Sequence, residues 1–536
     1  MKSLRKHSGI FAVSLCLAIA LPLFAQDSDS GQSLGDVARK LRKDTSEEVK
    51  MTSADTQRLF KSVDTIFDFA AADTGMPKHA VVKRRMVSKA DVEKYVQGNL
   101  AKEEYAQRFV QAEMSMKKLG FVPRDFNLKE FVTKSSGQQI AGYYDPETKT
   151  ISLLSWVPAD RQEPIMAHEL THALQDQNYD LSKWMKAAPK TKDAKDAEED
   201  ESAVARKAVV EGQAMVVYFD YLLKPLGRTL QNTPDILYAM EDPAVKGMID
   251  SQLIHDSPMV MREAGAFAYQ DGLIFEGELL HKGGKQMAFA GAFARPPRDS
   301  HEVLHPEAYI NGEKLPPLHI PDMKNLLQDQ YEVYDSGSIG ELDVRALLKQ
   351  YGERRMADNL SGEWQGGTYV LYRRKTDAAT QAPVTTADLA VLYISRWKTP
   401  QGAARFAKFY AGAVPQRYRT ATPDQVAACS GACPVSSAQI ETEEGPVIIE
   451  QWNDNSVVVS ESFDVPTAVK LRTAIHNAAG SMQAEDLPQQ EIGMRLLAIP
   501  AYREYEQKMG DELAAELVQE ARTTMLRQVP VADPSR

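Results

Sequence analysis

The stretch Ala167-His168-Glu169-Leu170-Thr171-His172-Ala173-Leu174-Gln175-Asp176-Gln177 decides how this chain is read. At about 100° per residue, a helix through it sets His168 and His172 one turn apart on one face, with Glu169 about 100° to the side. Met166, Ala167, Leu170, Ala173, Leu174 and Gln177 share the opposite side, so the polar residues His168, Glu169, His172 and Asp176 are grouped. This is the H-E-x-x-H arrangement, in which two imidazoles bind zinc and the Glu acts as general base on the metal's water. The structural alternative is a pair of helix-face histidines satisfied by hydrogen bonds.

Catalytic zinc takes three protein ligands and keeps one position for water. Glu211 is the expected third ligand. It lies in a helix predicted over 202–223, among Ala208, Val209, Val210, Ala214 and Met215. A carboxylate buried there without a partner costs several kcal/mol. Gly212 in mid-helix costs about 1 kcal/mol relative to Ala and marks a close approach of another helix. Together they point Glu211 at a cation and predict tight packing on the His168 helix. Glu198, Glu201 and His305 compete as ligands, the first two within a charge run that reads as solvated. Glu169 would move the proton, Tyr269 or His305 would donate to a tetrahedral oxyanion, and Asp176 would hold an imidazole from behind.

Upstream, Ile140 to Tyr144 and Thr150 to Leu154 read as two strands joined by Asp145-Pro146-Glu147-Thr148-Lys149, which has turn chemistry. A hairpin therefore precedes the metal helix, and Pro164 is placed in that helix's first turn. Amphipathic helices are expected at 54–72 and within 89–119, and another at 265–282 before a Gly283-Gly284 break. A Pro-rich connector at 313–325 leads to a second domain at 340–480 with mixed strands and helices, and a charged helical segment occupies 484–536.

The N-terminus reads as a processing signal. Lys2, Arg5 and Lys6 precede the apolar run Ile10 to Ala20, and Leu23-Phe24-Ala25 offers a cut after Ala25. Residues 26–50 read as a flexible leader, and the catalytic domain is expected at 51–325. The expected location is secreted or periplasmic, with no stable membrane insertion once the signal is gone. At net charge −11, with no basic stretch, a nucleic-acid partner is not expected. Cys429 and Cys433 remain after the signal; a disulfide is the favoured reading in an oxidising compartment, and a CxxxC zinc pair the alternative.

His168-Glu169-Leu170-Thr171-His172, followed by a helix with a candidate ligand Glu, resembles the gluzincins, the thermolysin-like branch of zinc peptidases. The blocks A-G-x-Y-D-P, A-H-E-L-T-H-A-L-Q-D-Q, V-E-G-x-A, Y-x-x-G and P-P-R-x-S-x-x-x-L-H-P-E-x-Y occur in that order from about 140 to 309. They are similar to those of a group of secreted bacterial proteins of metallopeptidase type. The resemblance implies an α+β zincin-like domain whose hairpin edge, Ala141, Gly142, Tyr143 and Tyr144, binds extended substrate by strand addition. It also implies that Tyr269 stabilises the oxyanion. Met215 departs from the pattern, since thermolysin carries an Asp there that orients a metal His. The acidic motif that anchors a free amino terminus is missing, which favours an endopeptidase. The expectation is a zinc-dependent peptidase acting on peptide or protein substrates. The alternatives are a non-catalytic metal-containing binding protein of the cell envelope and a metal-dependent amidase acting on cell-wall peptides.

Overall fold

The computed structural model describes residues 14–15, 51–88, 90–91, 103–131, 142–185, 197–237, 257–316, 318, 320–327, 330–375, 383–426, 429 and 433–479. The expected leader, the 484–536 helix and nearly all of the N-terminal signal lie outside these residues.

Two regions of sheet and a helical layer make up the fold, which is mixed helix and sheet. In the first half, β1 (Ser14–Leu15) precedes α1 (Ser53–Thr74), β2 (Lys83–Val87), α2 (Glu103–Leu119), β3 (Gly142–Asp145), β4 (Thr150–Leu154) and α3 (Ala159–Tyr179). Helix α1 starts on a capping box, with Thr52 and Asp55 bonding reciprocally, and ends on Gly75 in the left-handed region. Strands β3 and β4 form the antiparallel hairpin, Gly142 opposite Leu153 and Asp145 opposite Thr150. Asp145 Oδ1 accepts from the Glu147 amide at 2.9 Å and closes the turn. Strand β2 then pairs parallel to β4, and Ser14 and Leu15 pair antiparallel to Tyr144 and Tyr143 on the other edge. The sequence Lys83-Arg84-Arg85-Met86-Val87 carries no apolar alternation, because this strand sits at an edge with its charged side chains partly in solvent.

Helix α3 begins one turn earlier than expected, so Pro164 lies inside it. Gln162 ties its start to β4: the Leu154 amide donates to Gln162 Oε1 at 2.9 Å, and Gln162 Nε2 donates to the Leu154 and Val157 carbonyls. Next come α4 (Ala197–Leu223), α5 (Met259–Ala266), a π-helical segment (Phe267–Asp271), α6 (Gly272–Lys285) and a second π segment (Gln286–Gly291). Gly284, at φ 64°, kinks the chain at the expected break. Short helices α7 (Ser300–Leu304) and α8 (Pro306–Asn311) follow.

The second sheet has seven antiparallel strands, in the order Tyr331–Ser338, Trp364–Arg374, Leu389–Trp397, Ser456–Glu461, Gly445–Gln451, Ser436–Thr442 and Ala421–Asp424. Strand β5 (Tyr331–Ser338) begins before the boundary expected at 340, and a short helix at Lys324–Leu327 lies between it and the Pro-rich connector. Helices α9 (Glu341–Tyr351) and α10 (Arg354–Ser361) separate it from β6 (Trp364–Arg374) and β7 (Leu389–Trp397). Then come α11 (Pro400–Arg417), β8 (Ala421–Asp424), β9 (Ser436–Thr442), β10 (Gly445–Gln451), β11 (Ser456–Glu461) and α12 (Val465–Ala479). Alternate residues serve two faces. Tyr369, Leu371, Val391, Tyr393, Val457 and Val459 join the large core shared with the helical half. Val370, Tyr372, Leu392, Ile394 and Val458 pack with Phe463, Leu471 and Ile475 on the other. Buried Lys118, at the end of α2, bonds Glu444 and Ser462 at 2.8 Å, a polar tie between the halves. Cys429 and Cys433 are joined as a disulfide in the β8–β9 connection.

Candidate metal centre

Helix periodicity aligns His168 and His172, and α4 brings Glu211 to them. The two Nε2 atoms are 3.0 Å apart, and Glu211 Oε2 lies 3.3 Å from that of His168 and 3.5 Å from that of His172. Tetrahedral zinc with bonds of about 2.05 Å separates its ligand atoms by about 3.3 Å. Glu211 Oε2 is buried and accepts no hydrogen bond of normal geometry. A buried carboxylate oxygen without a hydrogen-bond donor, facing two imidazole nitrogens at these separations, fits a metal ion.

The imidazole orientation comes from a residue the sequence reading passed over. His172 Nδ1 is 2.8 Å from Gln175 Oε1, while Gln175 Nε2 donates to the Val210 carbonyl at 3.0 Å and to Gln213 Oε1 at 3.1 Å. With the amide's donors so engaged, its oxygen accepts from Nδ1–H, and Nε2 faces the centre, where a metal ion would take the place of its proton. Gln213 Nε2 in turn donates to Ala288 and Phe289 in the second π segment. The only signal in the sequence was spacing, Gln175 three residues after His172 and Gln213 two after Glu211.

The electrostatics favour a cation between these groups. Burial pushes His168 down to about 4, and the nearby His172 adds to the fall. Burial also opposes charge on His172, but Glu211 and Glu169 outweigh it and carry the group up to about 9. Burial would raise Glu211, yet His172 and His168 hold its carboxyl well below the usual range.

Glu169 is fully buried beside the histidines, and its Oε2 accepts the Tyr144 amide of β3 at 2.7 Å. Tyr269 is fully buried with its ring stacked on His168, centroids 6.3 Å apart and planes 14° off parallel. It sits in the first π segment, a local widening that re-aims side chains and recurs at functional sites. The close approach read from Gly212 exists, but against a different helix. A Cβ on Gly212 would lie 2.5 Å from the carbonyl carbon of Gly272, and one on Gly272 would lie 2.5 Å from Ala208 O. This glycine contact seats the Tyr269 helix against the helix of Glu211.

Two site expectations are corrected. Asp176 holds no imidazole: its Oδ2 accepts from Tyr144 Oη at 2.8 Å and from Lys149 Nζ at 2.6 Å, and so pins the hairpin to α3. The side chain lies on the hairpin side of the helix, where these donors reach it first. His305 is drawn elsewhere: its Nε2 lies 3.0 Å from Glu341 Oε1, in a group with His301. Of the competing ligands, Glu201 accepts from Ser300 N and Oγ at 2.9 and 2.6 Å. At 1.5 Å per residue it is about 15 Å along α4 from Glu211, and Glu198 is farther. Gly142, Tyr143 and Tyr144 lie in β3, where Tyr143 Oη accepts from Arg85 at 2.8 Å. Ala141 lies outside the described residues.

Three convergent ligand atoms with a carboxylate beside them can hold a tetrahedral ion with one position left over for water or substrate. Neither protein-family models, nor curated proteins, nor solved structures yield a match to this chain.

Proposed function

We propose that this chain is a zincin-type, gluzincin-like zinc peptidase that hydrolyses peptide bonds, acting as an endopeptidase in the periplasm or outside the cell. The observation that carries the reading is the His168–His172–Glu211 group at tetrahedral separations with Glu169 beside it. His168, His172 and Glu211 would hold zinc, which supplies Lewis-acid polarisation of a carbonyl and a bound water with a pKa lowered towards about 7. Glu169 takes the proton from the attacking water. The water oxygen bonds to the carbonyl carbon, Glu169 delivers the proton to the departing amine nitrogen, and the C–N bond breaks. Tyr144 N–H fixes one oxygen of Glu169 throughout. Tyr269 Oη is the donor assigned to the oxyanion. Strand β3, whose outer side Ser14 and Leu15 cover, is the strand with which an extended substrate would pair once they leave it.

A second reading, a non-catalytic metal protein of the cell envelope, is favoured by burial: His168, Glu169, His172 and Tyr269 are each at most 1% exposed, so a substrate reaches them only when the covering chain moves. An amidase acting on cell-wall peptides would use the same chemistry on another substrate. No helix among the described residues is long and apolar enough to cross a membrane.

Glu169→Gln separates the readings. Hydrolysis of a peptide library should fall by about 10²–10⁴-fold while zinc stays stoichiometric. Wild-type protein that holds one zinc at His168 and His172 yet cleaves nothing would sink the peptidase reading.

A further inference from the structure

We propose that His301, His305 and Glu341 form a second metal site, for a divalent transition ion of the zinc type, bridging the helical half and the seven-stranded half. His301 closes α7 against α9, and His305 follows four residues later on the same side. His301 Nδ1 is 2.6 Å from Glu341 Oε2, and His305 Nε2 is 3.0 and 3.1 Å from its two oxygens. The two rings are 4.4 Å apart, and the candidate ligand atoms lie within 4.8 Å of one another. The donor set repeats that of the first centre: two histidines spaced i, i+4 and a glutamate from another helix. Ligand separations of about 3.3 Å around zinc need the His301–Glu341 and His305–Glu341 contacts to open by under 1 Å. The side chain of His305 is 39% exposed, so it has room to move and leaves an open side for water.

The surroundings supply a second, independent reason. Asp299 caps α7 and Asp343 caps the start of α9, each accepting a backbone amide. Glu201 is buried on Ser300, and Glu302 lies one residue past His301. With Glu341 these make five carboxylates around one spot. Arg298 answers Glu302, and Arg345, one turn along α9, is held by Asp271 and Glu263. A divalent ion at the His301–Glu341 contact would add positive charge beside these carboxyl groups. Two imidazoles and one carboxylate select zinc, cobalt or nickel over calcium or magnesium, which prefer oxygen ligands.

The site lies beside Glu201, about 15 Å along α4 from Glu211, so it is independent of the peptidase reading. The test is zinc stoichiometry of the full chain, stripped with chelator, reloaded with Zn²⁺, desalted and measured by plasma mass spectrometry. Wild type should hold two zinc ions per chain. The His301→Ala/His305→Ala double variant should hold one, as should His168→Ala/His172→Ala, each losing a different ion. Glu341→Gln, which keeps the size and a hydrogen-bonding head, should also lose one with its far-ultraviolet circular dichroism unchanged. In the His168→Ala/His172→Ala background, Co²⁺ should give visible d–d bands that Glu341→Gln removes. Unchanged zinc content in both Glu341→Gln and His301→Ala/His305→Ala would overturn the proposal and leave a hydrogen-bonded clamp only. If wild type holds one ion that only the His301/His305 substitutions remove, this site stands and the first centre's reading fails.

Discussion

Replacing Gly212 by Ala should loosen the contact on which the Tyr269 helix rests. The new Cβ would meet the Gly272 carbonyl carbon at 2.5 Å and Glu276 Cγ at 3.1 Å. The first obstacle is backbone and cannot rotate away. Reaching an ordinary carbon–carbon separation of about 3.5 Å or more requires the helices to part by about 1 Å. Overpacking of this kind costs about 2–3 kcal/mol, and Ala returns about 1 kcal/mol of helix propensity, so a net loss of about 1–2 kcal/mol is expected. Urea denaturation followed by circular dichroism reads it as a lower midpoint with the same slope. Gly272→Ala meets Ala208 O from the other side and should cost a similar amount, and the double variant should cost less than the sum because one separation accommodates both methyl groups. Gly412, on the exposed side of α11, is the control, since a methyl group added there would meet nothing within 4 Å. Its Ala variant should gain up to about 1 kcal/mol. Because Tyr269 lies three residues before Gly272, a shift of about 1 Å should also lower peptide turnover, by up to about 10²-fold, with zinc retained. A Gly212→Ala protein as stabilised as Gly412→Ala would refute the close-packing account.

Three further outcomes are expected. Gln175→Ala removes the acceptor behind His172 Nδ1 and should weaken zinc binding about 10–100-fold in a competition titration with a chromophoric chelator; unchanged affinity would show that the ring is oriented otherwise. Tyr269→Phe should lower kcat by about 10²–10³-fold while zinc content and KM hold, and equal loss in KM would point to ground-state binding instead. Asp220 is raised to about 8 by burial and by its neighbour Asp73. The folded chain therefore keeps a proton that the unfolded chain releases near pH 4, so stability should fall as pH rises from about 5 to 8. Asp220→Asn should flatten that part of the profile by roughly 1–3 kcal/mol, measured as urea midpoints across pH; parallel profiles would contradict the shift.

The placement of His168, Glu169 and His172 was legible because a helix fixes which residues share a face using only local geometry. The β3–β4 hairpin was legible for the same reason, since its turn residues act on their own backbone. Glu211 stood out by incongruity, a charge within an apolar run, and the structure sets its Oε2 3.3 Å from the His168 ring. Strand β2 was not legible, because an edge strand needs no apolar alternation. Nor was the π segment at Phe267–Asp271, since an extra residue in a helical turn leaves no periodic mark over so short a span.

The make-up of the centre is therefore written in the chain itself: two imidazoles and a carboxylate on one helix face, and a glutamate a helix away. Its partners come from packing. Gln175 rather than Asp176 stands behind His172, because Tyr144 and Lys149 reach Asp176 from the hairpin. Gly212 meets Gly272 on the Tyr269 helix, and His305 turns to Glu341, 36 residues further along the chain. Each of these pairings joins elements whose mutual placement depends on how whole helices and sheets pack, and no residue spacing within one element encodes that.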